Sequence, residues 1–560
     1  MTRPLHDHAL ARFGEEVPPL DEAPPAAHPK VLRDELIAAA EWVCQYLSHL
    51  PETPVSRPMP ARQRARLRGA SLGRTGGELG RILDLVREEI APFPTGNGHP
   101  AFFAWINSPP APAGLIAELL AAAINATCGM GDNALMDLER GTVRILADLA
   151  ALPATTGGVL TSGGSMANLL ALATARTWYL TRRGSGDGLA YDRDHARLTL
   201  YYNAQAHMSV AKAAACIGIP AHRLRPIPSD AQHRLDPAAL RAAVTADQTA
   251  GLLPFCTVTT LGTTATGAVD PLEPVTALCR RTGMWHHADG AWGGLGAMVP
   301  ALAPLYRGVA DIDSMTVDPH KTLSVPVGCG ALLVTDPEHL HTAFAHRASY
   351  LTPGEPDTLP WLSHATIELT RPGTRALALW ATLHHLGRDG VTALLQHNLT
   401  LADRLRDKIT ADPRLELVAG GPWPVACFRL AATDAPDPDT LHTRVAHHVR
   451  TTGRAYLATV TVHDPRSCAP ASATTAPAKA TSTCSFAKST TPPTPHTRQH
   501  PSDARSSDRP SPTAVRPPRS KRAVPAEPLN TRRRDPRTEP AAHARSAHPS
   551  TPEGTGQASG

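Results

Sequence analysis

Apolar residues recur at helical spacing in some stretches of this chain and cluster into short unbroken runs in others. The two textures occupy different regions. Helical spacing predicts helices over Val31–Leu50, carried by Leu32, Leu36, Ala40, Val43 and Leu47, and over residues 77–91, carried by Leu79, Ile82, Leu83, Leu85, Val86 and Ile90. Two more are predicted from Ala113 to Ile124 and from about Ala134 to Leu149. From residue 155 the texture changes. Short β-prone runs at Gly158–Leu160, Leu198–Tyr202, Gly251–Thr260, Trp285–Ala288, Met315–Val317 and Ala331–Val334 alternate with helical patterns at Ser165–Leu180, His207–Ile217, Pro237–Ala246 and Pro271–Thr282. Such alternation predicts an α/β domain on a mostly parallel sheet. Helices over Arg375–His385 and Val391–Ile409 then lead into a smaller domain. It opens with strands Leu415–Val418 and Val425–Leu430 and a helix Pro438–Arg450.

The pattern stops after Asp464. Beyond it the chain has one leucine, Leu529, one phenylalanine, Phe486, and no isoleucine, tyrosine or tryptophan. That composition buries too little apolar area to offset chain entropy, so residues 465–560 are expected to be disordered. The expected division is a helical segment over 1–100, a large domain over 101–385, an incomplete small domain over 386–464 and the tail. The break has a reading at the level of the gene. With synonymous codons left free, the triplets from Pro465 read two nucleotides on as PVLRACVCNYRTREGDVDVLVREVDD, a strand followed by a helix. A frameshift would explain both the tail and a small domain with an open edge. An inactive product, or a basic tail (Arg532–Arg534) that binds something acidic, is the non-enzyme alternative.

At 560 residues the chain is long enough for a large core. The net charge of +5 comes from the tail, and the body is slightly acidic with no basic stripe, which argues against nucleic acid as a partner. No apolar run is long enough to span a membrane, and Met1–His8 lacks the apolar core of a signal segment. The nine cysteines form no Cys-x-x-Cys pairs. Cys44, Cys128, Cys216, Cys256, Cys279 and Cys329 read as buried thiols of a cytoplasmic protein. No metal-ligand spacing is evident.

Candidate chemistry centres on Thr316-Val-Asp-Pro-His-Lys-Thr322, which sets Lys321 just past a strand. A desolvated lysine amine there can attack a carbonyl and form a Schiff base with an aldehyde cofactor. Four other strand ends carry suitable companions. Gly163-Gly-Ser165 opens a helix whose amides, with Gly164 and Ser165 foremost, suit a phosphate. Asp289 ends the strand before Gly290-Ala-Trp-Gly-Gly294, where an acid can hold a pyridinium nitrogen protonated. His207 follows the strand Leu198–Tyr202, and Thr264 closes the hydroxyl-rich end of Gly251–Thr260. Each residue alone has an ordinary structural reading as a cap, a turn or an exposed polar group. Together, in chain order, they form a cofactor site.

The pairing of His287-Ala-Asp-Gly-Ala-Trp-Gly-Gly294 with Asp318-Pro-His-Lys321 resembles the pyridoxal-phosphate-dependent group II amino-acid decarboxylases, across about residues 30–464. His99-Pro-Ala-Phe-Phe103 and Trp380-Ala-Thr-Leu-His-His-Leu-Gly387 look like the same family, and the shifted-frame string resembles its ending. The resemblance implies the type I fold of pyridoxal-phosphate-dependent transferases: an α/β large domain with an N-terminal helical segment and a small C-terminal α/β domain. It implies pyridoxal 5'-phosphate as cofactor, with Lys321 as Schiff-base lysine, Asp289 on the pyridine nitrogen and His207 stacked on the ring. Gly164 and Ser165 would bind the phosphate, helped by His320, and Thr264 and Ala291 would line the ring pocket. Tyr350, in the Pro- and Gly-flanked segment Ala348–Glu355, would return a proton from a mobile lid. Trp105, Ile106, Asn107 and Ser108 follow the Phe-Phe segment that lies near the substrate pocket in the family, and Trp105 favours an aromatic or apolar substrate side chain. Thr322 stands where many relatives carry tryptophan, and Arg371-Pro372 replaces a common arginine pair. The implied activity is decarboxylation of an amino acid to the amine and CO₂ by a homodimer with shared sites. An aldehyde synthase or an aminotransferase on the same fold is the alternative.

Overall fold

The structure, a computed structural model, describes residues 28–94, 96–129, 133–184, 194–346, 361–431, 437–462 and 470–475. Seven strands form the large sheet: β1 (Gly157–Thr161), β2 (Leu198–Asn203), β3 (Leu224–Ile227), β4 (Leu253–Thr260), β5 (Trp285–Asp289), β6 (Ser314–Val317) and β7 (Gly330–Val334). Their order across the sheet is β1-β7-β6-β5-β4-β2-β3. The ladders from β3 through β2, β4 and β5 to β6 are parallel, and β7 runs antiparallel to both of its neighbours, β6 and β1. The expected mostly parallel sheet is present, with β3 added.

The central strands explain themselves. All eight residues of β4 and all five of β5 are buried, as a parallel sheet covered on both faces requires. Side chains sort by the two-residue period of a strand. On β7, Ala331 and Leu333 join one core with helices Ala134–Leu149 and Thr374–Ala411. Leu332 and Val334 join the other, with Ala167, Leu170 and Ala171 of helix Gly164–Arg182. Thr374–Ala411 carries both helices expected there. They meet at Gly387, whose φ of 64° and ψ of 174° are non-helical and suit a residue without Cβ.

The second sheet has β8 (Leu415–Ala419), β9 (Val425–Leu430), β10 (Ala458–Thr461) and β11 (Pro470–Thr475), in the order β10-β11-β9-β8 and antiparallel throughout. Strand β11 falls within the segment 465–560 that was expected to be disordered, and its six residues pair between β10 and β9. Cys44 and Cys216, expected to be buried, are exposed, while Cys128, Cys256, Cys279, Cys329 and Cys427 are buried thiols. Among the described residues no helix is long and apolar enough to cross a membrane, and no His/Cys/Asp/Glu cluster suits a metal.

Two buried polar arrangements hold the sheet. Arg371 and Glu139 are 1% and 2% exposed and pair at 2.7 Å. Arg371 also donates to the carbonyls of Leu160 and Cys128, and Glu139 accepts the amide of Leu160. The pair thus ties β1 to helix Ala134–Leu149 and to the chain entering Thr374–Ala411. Removing one partner leaves a lone buried charge, so Arg371→Met is expected to cost about 3–5 kcal/mol, and the Glu139→Leu/Arg371→Met chain less. Urea unfolding midpoints check this, and a wild-type midpoint for Arg371→Met contradicts it.

On β5, His286 lies between the hydroxyls of Thr259 and Thr276, and burial lowers its pKa to about 3. Its stabilisation is therefore present above the unfolded pKa of about 6.5 and is lost as pH falls toward the folded value. His287, lowered to about 4 by burial, acts in the same direction. Asp270 and Asp313, raised by burial to about 6, act oppositely, gaining stability as pH falls through that value. Comparison with His286→Gln isolates the one group. The stability advantage of wild type should shrink by about 2 kcal/mol between about pH 7 and pH 5. Thermal melts at both pH values measure it, and a constant difference would sink the assignment.

Candidate active site

Five strand ends of the large sheet meet at one cavity of about 300 Å³. All lie at the carboxyl ends of strands that run in the common direction, where open α/β sheets bind ligands. From β1 comes Ser162-Gly-Gly-Ser165, from β2 His207, from β4 Thr260 and Thr264, from β5 Asp289 and Ala291, and from β6 Asp318, His320 and Lys321. All of these line the cavity.

The loop after β1 is built for close approach. Gly163 has φ 147°, and a Cβ on Gly330 would sit 2.5 Å from the Gly163 Cα, so β7 presses directly on the turn. Helix Gly164–Arg182 starts there, and its first amides have no partners within the helix. A Cβ on Gly164 would meet Asp318 Oδ2 at 2.8 Å and Ala291 Cβ at 3.1 Å. Only glycine brings this backbone so near the other loops.

Asp289 is 5% exposed. Its Oδ1 accepts the amide of Ala291, and its Oδ2 accepts the Asn168 side-chain amide at 2.9 Å. Lys321 Nζ lies 3.0 Å from Asp318 Oδ2, and Asp318 is itself 1% exposed. His320 Nδ1 meets the Cys329 carbonyl at 2.6 Å, which fixes its ring beside Gly163. Burial lowers the pKa of His207, with Asp289 opposing, so its imidazole is neutral at physiological pH.

The four residues expected at the substrate divide. Ile106 lines the cavity. Trp105 is half exposed with its ring against Phe102 and Tyr456, and Asn107 donates to the Ala104 carbonyl. Ser108 donates to the His320 carbonyl at 2.8 Å and so braces the lysine turn. Tyr350 lies outside the described residues. Sequence reasoning missed Asn168, Ser209, Asp318, Met166, Gly262 and Trp292, which also line the cavity. Asp318 could have been found, because it precedes Pro319-His-Lys321 by one residue.

The residues fit pyridoxal 5'-phosphate. A glycine cradle at a helix N-terminus suits the phosphate, a buried carboxylate suits the ring nitrogen, and a lysine between them suits the aldehyde. A Cβ on Gly164 would fill the cradle.

Comparison with known proteins agrees. The "Pyridoxal-dependent decarboxylase conserved domain" matches residues 63–431. The chain is 27% identical over 408 residues to an aromatic-L-amino-acid decarboxylase of Bacillus atrophaeus, covering 72% of this chain and 82% of that protein. It is 30% identical over 406 residues to L-tyrosine/L-DOPA decarboxylase 2 of Lophophora williamsii, covering 70% and 76%. Over 444 residues it is 29% identical to a 4-hydroxyphenylacetaldehyde synthase of Rhodiola rosea, covering 76% and 88%. The crystal structure of Oryza sativa TDC with PLP and tryptamine superposes with a TM-score of 0.75 at 26% identity, covering 81% of this chain and 94% of that one. By sequence, by fold and by a cavity whose residues fit the cofactor, this chain belongs to the pyridoxal-dependent decarboxylase family.

Proposed function

We propose that this protein removes the α-carboxylate of an aromatic L-amino acid, giving the amine and CO₂. The observation that carries the reading is the convergence of Lys321, Asp289 and the Gly163–Ser165 turn on one cavity. Two features support the aromatic class. Relatives include enzymes named for aromatic amino acids, tyrosine and DOPA. The cavity lining has no arginine and one lysine, Lys321, which is assigned to the cofactor, so no lysine or arginine there remains to meet an acidic side chain, while Ile106, Met166 and Trp292 supply apolar surface.

Lys321 Nζ would hold the cofactor at its aldehyde and give way there to the substrate amine. When bound, pyridoxal 5'-phosphate supplies an electron-poor ring that takes up the electron pair left at Cα as CO₂ departs. Asp289 keeps a proton on the ring nitrogen, because a carboxylate at that point favours the charged pyridinium. The Gly164 and Ser165 amides would hold the phosphate and His207 would pack on the ring. Tyr350 returns a proton to Cα, and Lys321 then aids release of the amine.

We also propose a cytoplasmic homodimer. Helix Pro29–His49 exposes Val31, Leu32, Leu36 and Ile37, and helix Pro112–Ile124 exposes Ile116, Leu119, Leu120 and Ile124, all at 42–58%. Two apolar helix faces of this size mark an interface, and a second copy of the chain suits a family whose sites are shared.

Purified protein with added cofactor should show the absorbance band of lysine-bound pyridoxal, and Lys321→Ala should abolish both the band and amine formation. Aldehyde with peroxide, or a keto acid, in place of amine and CO₂ would replace decarboxylation by one of the alternative reactions. Light scattering should give twice the chain mass for wild type and the single-chain mass for Ile116→Glu/Leu119→Glu. A wild type of single-chain mass at micromolar concentration would remove the dimer.

A further inference from the structure

At the wall of the cavity a hydrogen-bonded chain links Asp289 and His207 through residues to which neither the motifs nor the proposed reaction assigned a role. Its hub is Asn168, on the first turns of helix Gly164–Arg182 and 1% exposed. Its amide nitrogen donates to Asp289 Oδ2 and to Ser209 Oγ, both at 2.9 Å. Its Oδ1 accepts from Thr316 Oγ1 at 2.7 Å and lies 3.0 Å from His287 Nε2. Two donors and two acceptor sites are all that an asparagine side chain has, and every one is used. The Asp289 carboxylate also fixes the orientation of the amide. Turned over, Asn168 would set its oxygen against that carboxylate and its NH₂ against the Thr316 and His287 donors.

This orientation propagates in both directions. His287 must carry its proton on Nε2 to meet Asn168 Oδ1. Its Nδ1 is then an acceptor for the Ser314 hydroxyl at 2.8 Å, and Ser314 in turn accepts the Trp285 indole N–H. On the other side, Ser209 Oγ takes the Asn168 hydrogen and spends its own proton on His207 Nδ1 at 2.9 Å, where the Ser209 amide also points, at 3.2 Å. His207 is thereby held with its proton on Nε2. One side chain thus binds the second oxygen of Asp289 and orients the Ser209 hydroxyl, which together with the Ser209 amide holds the tautomer of His207.

We infer that Asn168 is a positioning residue that couples Asp289 and His207 into one unit, setting the carboxylate toward the cofactor's ring nitrogen and the imidazole toward its ring face. The inference rests on the proposed reading of the cavity. It predicts that the ring-facing groups fail together when Asn168 is changed, and not when its neighbours on the far side are. Asn168→Leu keeps the shape and removes both donors. Thr316→Val removes a bond to the same Asn168 oxygen without touching Asp289 or Ser209.

The experiment titrates pyridoxal 5'-phosphate into the full-length apoprotein by absorbance, across pH, with melting temperatures recorded alongside. Asn168→Leu should weaken cofactor binding by roughly tenfold or more, the size expected for a hydrogen bond to a charged group, and should shift the pH titration of the bound-cofactor band. Thr316→Val should stay within about twofold of wild type even where its melting temperature falls, since the contacts it loses, to Asn168 Oδ1 and to His287 Nε2, are neutral and do not reach Asp289 or Ser209. Asn168→Asp, which faces Asp289 with a second carboxylate, should bind worse as pH rises and regain affinity as pH falls and the pair takes up a proton. If Asn168→Leu is not recovered folded, Ser209→Ala tests the His207 arm alone, and it should shift the band's pH titration at near wild-type affinity. Wild-type affinity and titration in Asn168→Leu overturn the inference, as does an equal loss in Thr316→Val, or an unshifted titration in Ser209→Ala. A wild type that takes up no cofactor overturns the proposed function as well, which separates the two failures.

Discussion

A carboxylate at the end of a strand with no exposed residue constrains everything around it. Asp289 closes β5, all of whose residues are buried. An ionised group in such a place is costly unless hydrogen bonds meet it. The Ala291 amide and the Asn168 side chain supply those bonds, one from the turn that follows and one from the helix after β1. The helix must therefore pass directly over β5, and Gly163 and Gly330 let its start approach that closely. Phosphate cradle and acid are thus not independent features of the fold. The helix whose N-terminus suits the anion is the one that carries Asn168 to Asp289.

The second sheet also bears on these loops. Trp423, just before β9, inserts between Trp292 and Gly262, and its indole donates to Tyr306 Oη, which in turn donates to the Gly293 carbonyl. A Cβ on Gly262 would lie 3.3 Å from both tryptophan rings. The turn carrying Ala291 and the one carrying Thr264 are therefore packed against a residue far along the chain. Cys427 on β9 adds a contact to the Ala265 carbonyl.

Much of this was legible in the sequence, for a physical reason. Strands buried on both faces read as continuous apolar runs, and ligand-binding groups of a parallel sheet must fall just after them. Lys321, Asp289 and His207 could be placed that way. Asn168 could not, because its partners Asp289 and His287 lie 121 and 119 positions away and no local period marks it. The only signal was a polar residue amid Ala167, Leu170 and Ala171 on the inward face of a helix. The role of Ser108 was hidden likewise, since its hydroxyl reaches the backbone of His320 across 212 positions. Strand β3 was missed because Leu224–Ile227 is four residues long with a proline inside it, which its place at the sheet edge tolerates.

Trp105 shows why the substrate side was the hardest to read. It adopts φ 54°, a left-handed conformation that costs a non-glycine residue about 1–3 kcal/mol. Surrounding contacts must hold it there, and Phe102 and the small-domain Tyr456 supply two of them. Tyr456 bridges to Phe102 through paired backbone bonds at Ala101 and Phe103, and its ring packs on those of Phe102 and Trp105. Arg450 lies over the other end of the same cluster, 5.4 Å from the Tyr456 ring. The next residue, Ile106, lines the cavity. Tyr456 precedes β10 by two residues, and among the described residues β10 pairs with β11 at the edge of the small sheet. The contacts run in one series from the small sheet to the cavity: β11 pairs with β10, β10 follows Tyr456, and Tyr456 packs on the strained turn whose next residue is Ile106.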